Sequence, residues 1–99
     1  MLEKLVWNKL SCWSQKTFGT DEERGPKGCL EHLKLEAQEA IESPKDIKEL
    51  ADCFILIMDA TRRSGFVWEE LLMATDLKLE EVKNRVYLRT PEGIPCQHI

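Results

Sequence analysis

The stretch Glu36-Ala37-Gln38-Glu39-Ala40-Ile41-Glu42-Ser43-Pro44-Lys45-Asp46-Ile47-Lys48-Glu49-Leu50-Ala51-Asp52 decides the fold. Apolar residues recur at intervals of three and four on both sides of Ser43-Pro44, so each half reads as an amphipathic helix. Ser43-Pro44-Lys45-Asp46 reads as an N-cap serine, a proline at the first helical position and an acid at the third. One helix therefore ends near Glu42 and the next begins at Pro44. So short a connection makes the two an antiparallel hairpin.

Working outward, Pro26 suits the first turn of the earlier helix, whose apolar stripe is Leu30, Leu33, Ala37, Ala40 and Ile41. The later helix runs to Ser64-Gly65, with Gly65 just past its C-cap and a core face of Ile47, Leu50, Ala51, Phe54, Ile55 and Met58. Before the hairpin, Leu2, Leu5, Val6, Leu10 and Trp13 mark a first helix over about residues 2–17. The segment Gly19-Thr20-Asp21-Glu22-Glu23-Arg24-Gly25-Pro26 holds no bulky apolar residue and reads as a loop. A fourth helix over about 66–88 buries Val67, Leu71, Leu72, Leu79, Val82 and Val86. Residues from about 89 to 99, with two prolines and a glycine, form an irregular tail. No strand-like alternation of useful length occurs. The expected fold is all-α: an antiparallel bundle of about four helices forming one domain over residues 1–99.

With 99 residues, 32% charged and 42% hydrophobic, the composition is that of an ordered domain and not of a disordered tail. A chain of this size buries only about 60–65% of its surface on folding, which favours a partner subunit, a metal or a disulfide. The sequence pI near 5.2 gives no footprint for a nucleic-acid polymer. The longest apolar run, Cys53 to Met58, is far short of the ~20 residues of a membrane span. The N-terminus is too polar for a secretion signal. Cys12, Cys29, Cys53 and Cys96 lack the close spacing of a zinc knuckle and read as reduced residues. The chain is expected in the cytoplasm, the host cytoplasm if phage-encoded.

The net charge of −4 is unevenly distributed. Residues 31–59 hold eight acids against three lysines, while the rest is close to neutral. Glu36/Glu39 and Glu49/Asp52 are acid pairs three apart, adjacent on a helix and mutually repelling. At 1.5 Å per residue their midpoints lie about 8 and 11 Å from the turn, so the pairs sit nearly level on the two arms. Four carboxylates facing one another are stable only around cations, and an all-oxygen set favours Mg²⁺ or Mn²⁺. The plainer alternative is a solvated acidic face. Asp59 extends the stripe as a fifth acid, and this face carries few compensating lysines. His32, four before Glu36, lies on the stripe as a polar neighbour of the acids. Lys78 and Arg85 share a face of the fourth helix with Asn84 beside them, and Lys16, Arg24 and Lys27 flank the loop. Metals ringed by Lys and Arg suit polyphosphate chemistry, although each base alone could be a surface residue. Trp13 could stack a nucleobase or pack in a core or interface.

These residues resemble the all-α nucleoside triphosphate pyrophosphohydrolases of the MazG-like group, particularly the dATP/dGTP diphosphohydrolase branch. The resemblance rests on Glu36-x-x-Glu39 followed by Glu49-x-x-Asp52. Around these lie Thr17-Phe18-Gly19, Arg24-Gly25-Pro26-Lys27-Gly28, Leu30-x-His32-Leu33, Leu56-x-x-Asp59-Ala60-x-x-Arg63-x-Gly65, Lys78-Leu79, Arg85 and Pro95-x-x-His98-Ile99. It covers about Trp13 to the C-terminus. Three positions depart from the branch: Leu35 replaces an acid, Val82 an asparagine and Tyr87 a tryptophan. The resemblance implies hydrolysis of dGTP or dATP to the monophosphate and pyrophosphate. It implies Glu36, Glu39, Glu49 and Asp52 as ligands of two or three Mg²⁺ or Mn²⁺ ions and as the catalytic acids. Lys78 and Arg85 would then steady the pyrophosphate. Asn84, Trp13, Lys16, Arg24, Lys27, His32 and Asp59 would be the remaining substrate contacts. Assembly as a homodimer or homotetramer is also implied. The competing expectation is a helical module that binds nucleotide, metal or a partner without turnover.

Overall fold

The computed structural model describes all 99 residues, Met1–Ile99. Four helices account for most of the chain: α1 (Leu2–Phe18), α2 (Lys27–Glu42), α3 (Ile47–Arg63) and α4 (Trp68–Lys83). The all-α architecture agrees with the hydrophobic periodicity. No helix is long and apolar enough to cross a membrane, and all four cysteines are unpaired.

The hairpin of α2 and α3 is the most extensive packing in the molecule, and α2 packs on no other helix. Its turn differs from the expected one. Ser43 closes α2, its N–H donating to the carbonyls of Glu39 and Ala40 at 3.2 and 3.3 Å. Asp46 is the N-cap of α3, its side chain accepting the Lys48 N–H at 2.9 Å. A helix starting at Pro44 would leave no residues with which to reverse the chain, so Pro44 and Lys45 serve as the turn instead. The shift brings the two acid pairs closer to level. Their midpoints lie about 7 and 5 Å inside the ends of their helices.

The far end of α3 closes as expected. Gly65, at φ 92°, donates its N–H to the Arg62 carbonyl at 3.0 Å, and Phe66 donates to Thr61 at 3.3 Å. This pair of bonds, with a residue of positive φ after the cap, satisfies carbonyls that the last turn would otherwise expose. α4 is shorter than its apolar pattern suggested, and Val86 lies beyond it, exposed. Residues 87–99 are not wholly irregular either. Strand β1 (Tyr87–Leu88) pairs antiparallel with β2 (Gln97–His98), Tyr87 opposite His98 and Leu88 opposite Gln97. Strands of two residues carry no alternation for a sequence pattern to display.

The apolar core is small and lies where α1 and α4 meet α3. Trp7, Leu10 and Met58 are buried together, with Trp68 packed against them. The Trp68 ring lies 6.2 Å from Trp7 and 6.1 Å from Phe54. The buried face of α1 is therefore Trp7, Leu10 and Ser14, while Leu2, Leu5 and Trp13 of the expected stripe are exposed. A serine on the packed face of a helix signals a polar partner, and Ser14 has one in Asp59.

Many other stripe residues find no cover within the chain. Leu30, Ile41, Ile47, Leu50, Leu72 and Leu79 are each at least half exposed. The accessible surface is 8021 Å², about 2,200 Å² more than a folded monomer of this mass ordinarily shows. The radius of gyration, 15.6 Å, likewise exceeds the ~13 Å of a compact chain of this length.

Candidate active site

Level acid pairs on adjacent antiparallel helices bring carboxylates together across the hairpin. One ligand oxygen each from Glu36, Glu49 and Asp52 lies within 4.8 Å of the others. Glu36 Oε2 and Glu49 Oε2 are buried and have no hydrogen-bond partner. Buried polar atoms are normally paired, so two orphaned carboxylate oxygens facing one cluster need an outside partner that accepts negative charge. An all-oxygen set without cysteine or histidine suits a hard divalent cation.

The electrostatics agree. Hydrogen bonding with Glu39, then burial, then the charges of Glu39 and Asp52 hold the Glu36 carboxyl above the ordinary value of 4.5, with His32 opposing. Burial, followed by the charges of Glu39, Asp52, Asp46 and Glu42, does the same to Glu49. Glu39 is thus a neighbour of the triad that touches Glu36, but it stays exposed and outside the tightest cluster. His32 Nε2 lies 3.1 Å from Glu36 Oε1.

Two cavities adjoin these acids. One, of about 250 Å³, is lined by Trp13, Phe18, His32, Glu36, Asp52 and Asp59 among others. The second, of about 360 Å³, shares Phe18, His32, Leu56 and Asp59 with it and extends to Arg24, Lys27, Gly28 and Cys29. Together they form a groove with carboxylates at one end and cationic side chains at the other. Trp13 and Phe18 meet edge to face on its wall, ring centroids 5.3 Å apart.

Other residues singled out in the sequence are elsewhere. Lys16 lines neither cavity. Lys78 and Arg85 both bind Glu81, at 3.3 and 2.9 Å, and the Asn84 amide donates to the Glu80 carbonyl at 3.1 Å. None of the three lines either cavity or bonds to the clustered acids within one chain. Asp59 faces the groove but is 5% exposed and fully engaged, not a free fifth carboxylate. It accepts from Ser14 Oγ at 2.6 Å, from Arg62 Nη2 at 2.8 Å and from Arg63 Nε at 3.3 Å. Burial alone would push its carboxyl up, but the bonds from Ser14 and Arg62, the Arg62 charge and the bond from Arg63 outweigh that and hold it below the ordinary range.

Sequence reasoning did not single out Ser14, Asp21 and Arg62 as neighbours of the site. Two signals were available: arginines three and four after Asp59 at the end of α3, and a serine on the packed side of α1. Phe18, Cys29 and Leu56 line the groove and carry no distinguishing signal as single residues.

Residues 6–99 match the dATP/dGTP pyrophosphohydrolase family. The chain belongs to this family. Among curated proteins, the Eaa protein of Salmonella phage P22 is 44% identical over 87 residues, 88% of this chain and 26% of that protein. The chain thus spans about a quarter of that relative's length. No solved structure matches. In this dATP/dGTP pyrophosphohydrolase family member, the matched region takes in the acid triad and every residue that lines the two cavities.

Two outcomes follow from the electrostatics. Glu49→Gln removes one of the repelling charges, so the metal-free variant should melt several degrees above the parent. Adding Mn²⁺ should raise the melting temperature of the parent more than that of the variant. Asp59 has the opposite sign. Its carboxyl is depressed on folding, so its contribution is present at neutral pH and is lost as pH falls through and below the ordinary aspartate value of 3.8. Urea denaturation from pH 7 to pH 3 should show that loss, and Asp59→Asn should flatten it.

Proposed function

We propose that the protein hydrolyses a purine deoxynucleoside triphosphate, dGTP or dATP, to the monophosphate and pyrophosphate. The family assignment supports this class of activity. The observation that carries the site reading is the pair of orphaned oxygens on Glu36 and Glu49 beside Asp52. Glu36, Glu39, Glu49 and Asp52 would hold two or three Mg²⁺ or Mn²⁺ ions. When bound, these would supply charge neutralisation at the phosphates and a more acidic water. The carboxylates of this cluster orient the water that attacks the α-phosphorus, and one of them accepts its proton. His32 supports Glu36, and Arg24 and Lys27 offer positive charge along the groove. Trp13 and Phe18 offer the aromatic surface on which a purine can stack.

The surplus of exposed apolar surface supports a homodimer or homotetramer. An area of about 2,200 Å² per chain falls in the range of obligate subunit interfaces. In such an assembly α4 of a second copy would bring its Lys78, Asn84 and Arg85 toward the acids that the first copy's α4 does not reach. The reaction suits the cytoplasm, the host cytoplasm for a phage protein, where dGMP made from dGTP can feed synthesis of a modified base. The substrate is the free nucleotide and not a nucleic-acid polymer.

A pyrophosphate-release assay with the four natural deoxynucleoside triphosphates and Mn²⁺ tests the reading. Release should be confined to dGTP and dATP, and Glu39→Gln should lower kcat by about 100-fold or more while the oligomer persists. Tight nucleotide binding with no release would identify a binding module instead. Sedimentation velocity should find a dimer or tetramer at micromolar concentration, and a monomer there would remove the assembly.

A further inference from the structure

The segment Gly19–Gly25 walls the groove without any apolar side chain of its own to anchor it. Thr20 and Glu23 bond each other within it, and two arginines in the last turn of α3 tie it to the helices. The Arg63 side chain is 2% exposed and spends all five of its N–H groups. Nη1 donates to the carbonyls of Thr20 and Arg24 at 3.3 and 3.0 Å. Nη2 donates to the Gly19 carbonyl at 3.0 Å and to the carbonyl and hydroxyl of Ser14 at 3.3 and 2.8 Å. Nε meets Asp59. The positive φ of Gly19, 114°, turns the chain as it leaves α1, where its carbonyl meets the guanidinium. Arg62 reaches the same loop from the other side, gripping both oxygens of Asp21 at 2.7 and 2.6 Å.

One guanidinium therefore collects carbonyls from both ends of the loop and closes it into a ring. Phe18 precedes that ring and Arg24 lies within it, and both line the cavity. The acids stand on α2 and α3, outside the ring.

We infer that Arg63 is a positioning residue for nucleotide binding: it sets the loop that presents Arg24 to the groove beside Phe18. This rests on the proposed nucleotide hydrolysis for its kinetic readout. A lysine keeps the charge opposite Asp59 but offers three donors from a single point, so it cannot hold carbonyls on two sides. Positioning of this kind acts on substrate affinity and leaves the acid cluster intact.

The test is a double-mutant cycle. Arg63→Lys should raise KM for the hydrolysed nucleotide about tenfold with kcat changed less than about threefold. Arg24→Ala should raise KM in the parent yet add little in the Arg63→Lys background, because the misplaced side chain has already stopped contributing. Additive effects of the two changes, or a fall in kcat at unchanged KM, would overturn the inference. Should Arg63→Lys fail to fold, Ser14→Ala loosens the same guanidinium more gently and should give a smaller KM rise of the same kind, again non-additive with Arg24→Ala. An unchanged KM in the folded Ser14→Ala variant would count against the proposal. Hydrogen exchange separates this idea from the reading beneath it. Even if no nucleotide is hydrolysed, Arg63→Lys or Ser14→Ala should speed exchange at the amides of residues 19–25 and leave Glu36–Glu42 protected. An unchanged loop would defeat the staple on its own terms.

Discussion

The ionised carboxylate of Asp59, buried between two arginines and a serine, is the contact on which the rest of the structure depends. It joins α1 through Ser14, the loop through Arg62 and Arg63, and α3 through its own backbone. Buried ion pairs contribute little net stability, because desolvation offsets most of the attraction. They are demanding about geometry, however, since a charge left unpaired in the interior is costly. A chain whose apolar core is little more than Trp7, Leu10 and Met58 under Trp68 has little else to set the register of α1 on α3. The cluster does that, and in the same contacts it shapes one wall of the groove.

The second organising constraint is repulsive. Glu36, Glu49 and Asp52 are brought together by a hairpin whose apolar faces pack, against the mutual repulsion of the carboxylates. The orphaned oxygens show that the fold does not relieve this with its own donors. Natural chains tolerate such a local conflict where a ligand resolves it. The two clusters thus treat acids in opposite ways. At Asp59 both oxygens have donors and the carboxyl is held below the ordinary range, whereas Glu36 and Glu49 each keep one oxygen without a donor and are held above it. Both border one groove, the satisfied Asp59 where its two cavities meet and the vacant acids at one end.

Much of this was written in local pattern. Helix number, the hairpin, the Gly65 terminus and the proximity of two acid pairs follow from periodicity, breakers and rise per residue, which depend on neighbours within a few positions. The turn itself is ambiguous in local pattern because Ser43-Pro44 and Asp46 are both good helix-start signals. Only the length needed to reverse the chain favours the second. The β1–β2 ribbon was invisible for a different reason: its pairing is between residues about ten apart, and neither strand is long enough to alternate.

An all-α chain with its negative charge gathered on one hairpin is legible in the residues alone, because helix periodicity and the spacing of acids are properties of a single segment. Tertiary structure alone decided which acids are vacant and which are spent. Asp52 and Asp59 share one stripe of α3, two turns apart. One sits beside Glu49 and faces Glu36 across the hairpin, and the other meets Ser14 and the arginines. A carboxylate's role depends on the donors that surround it in space, and at Asp59 those are a serine of α1, far away in the chain, and two arginines held in place by the loop they bind.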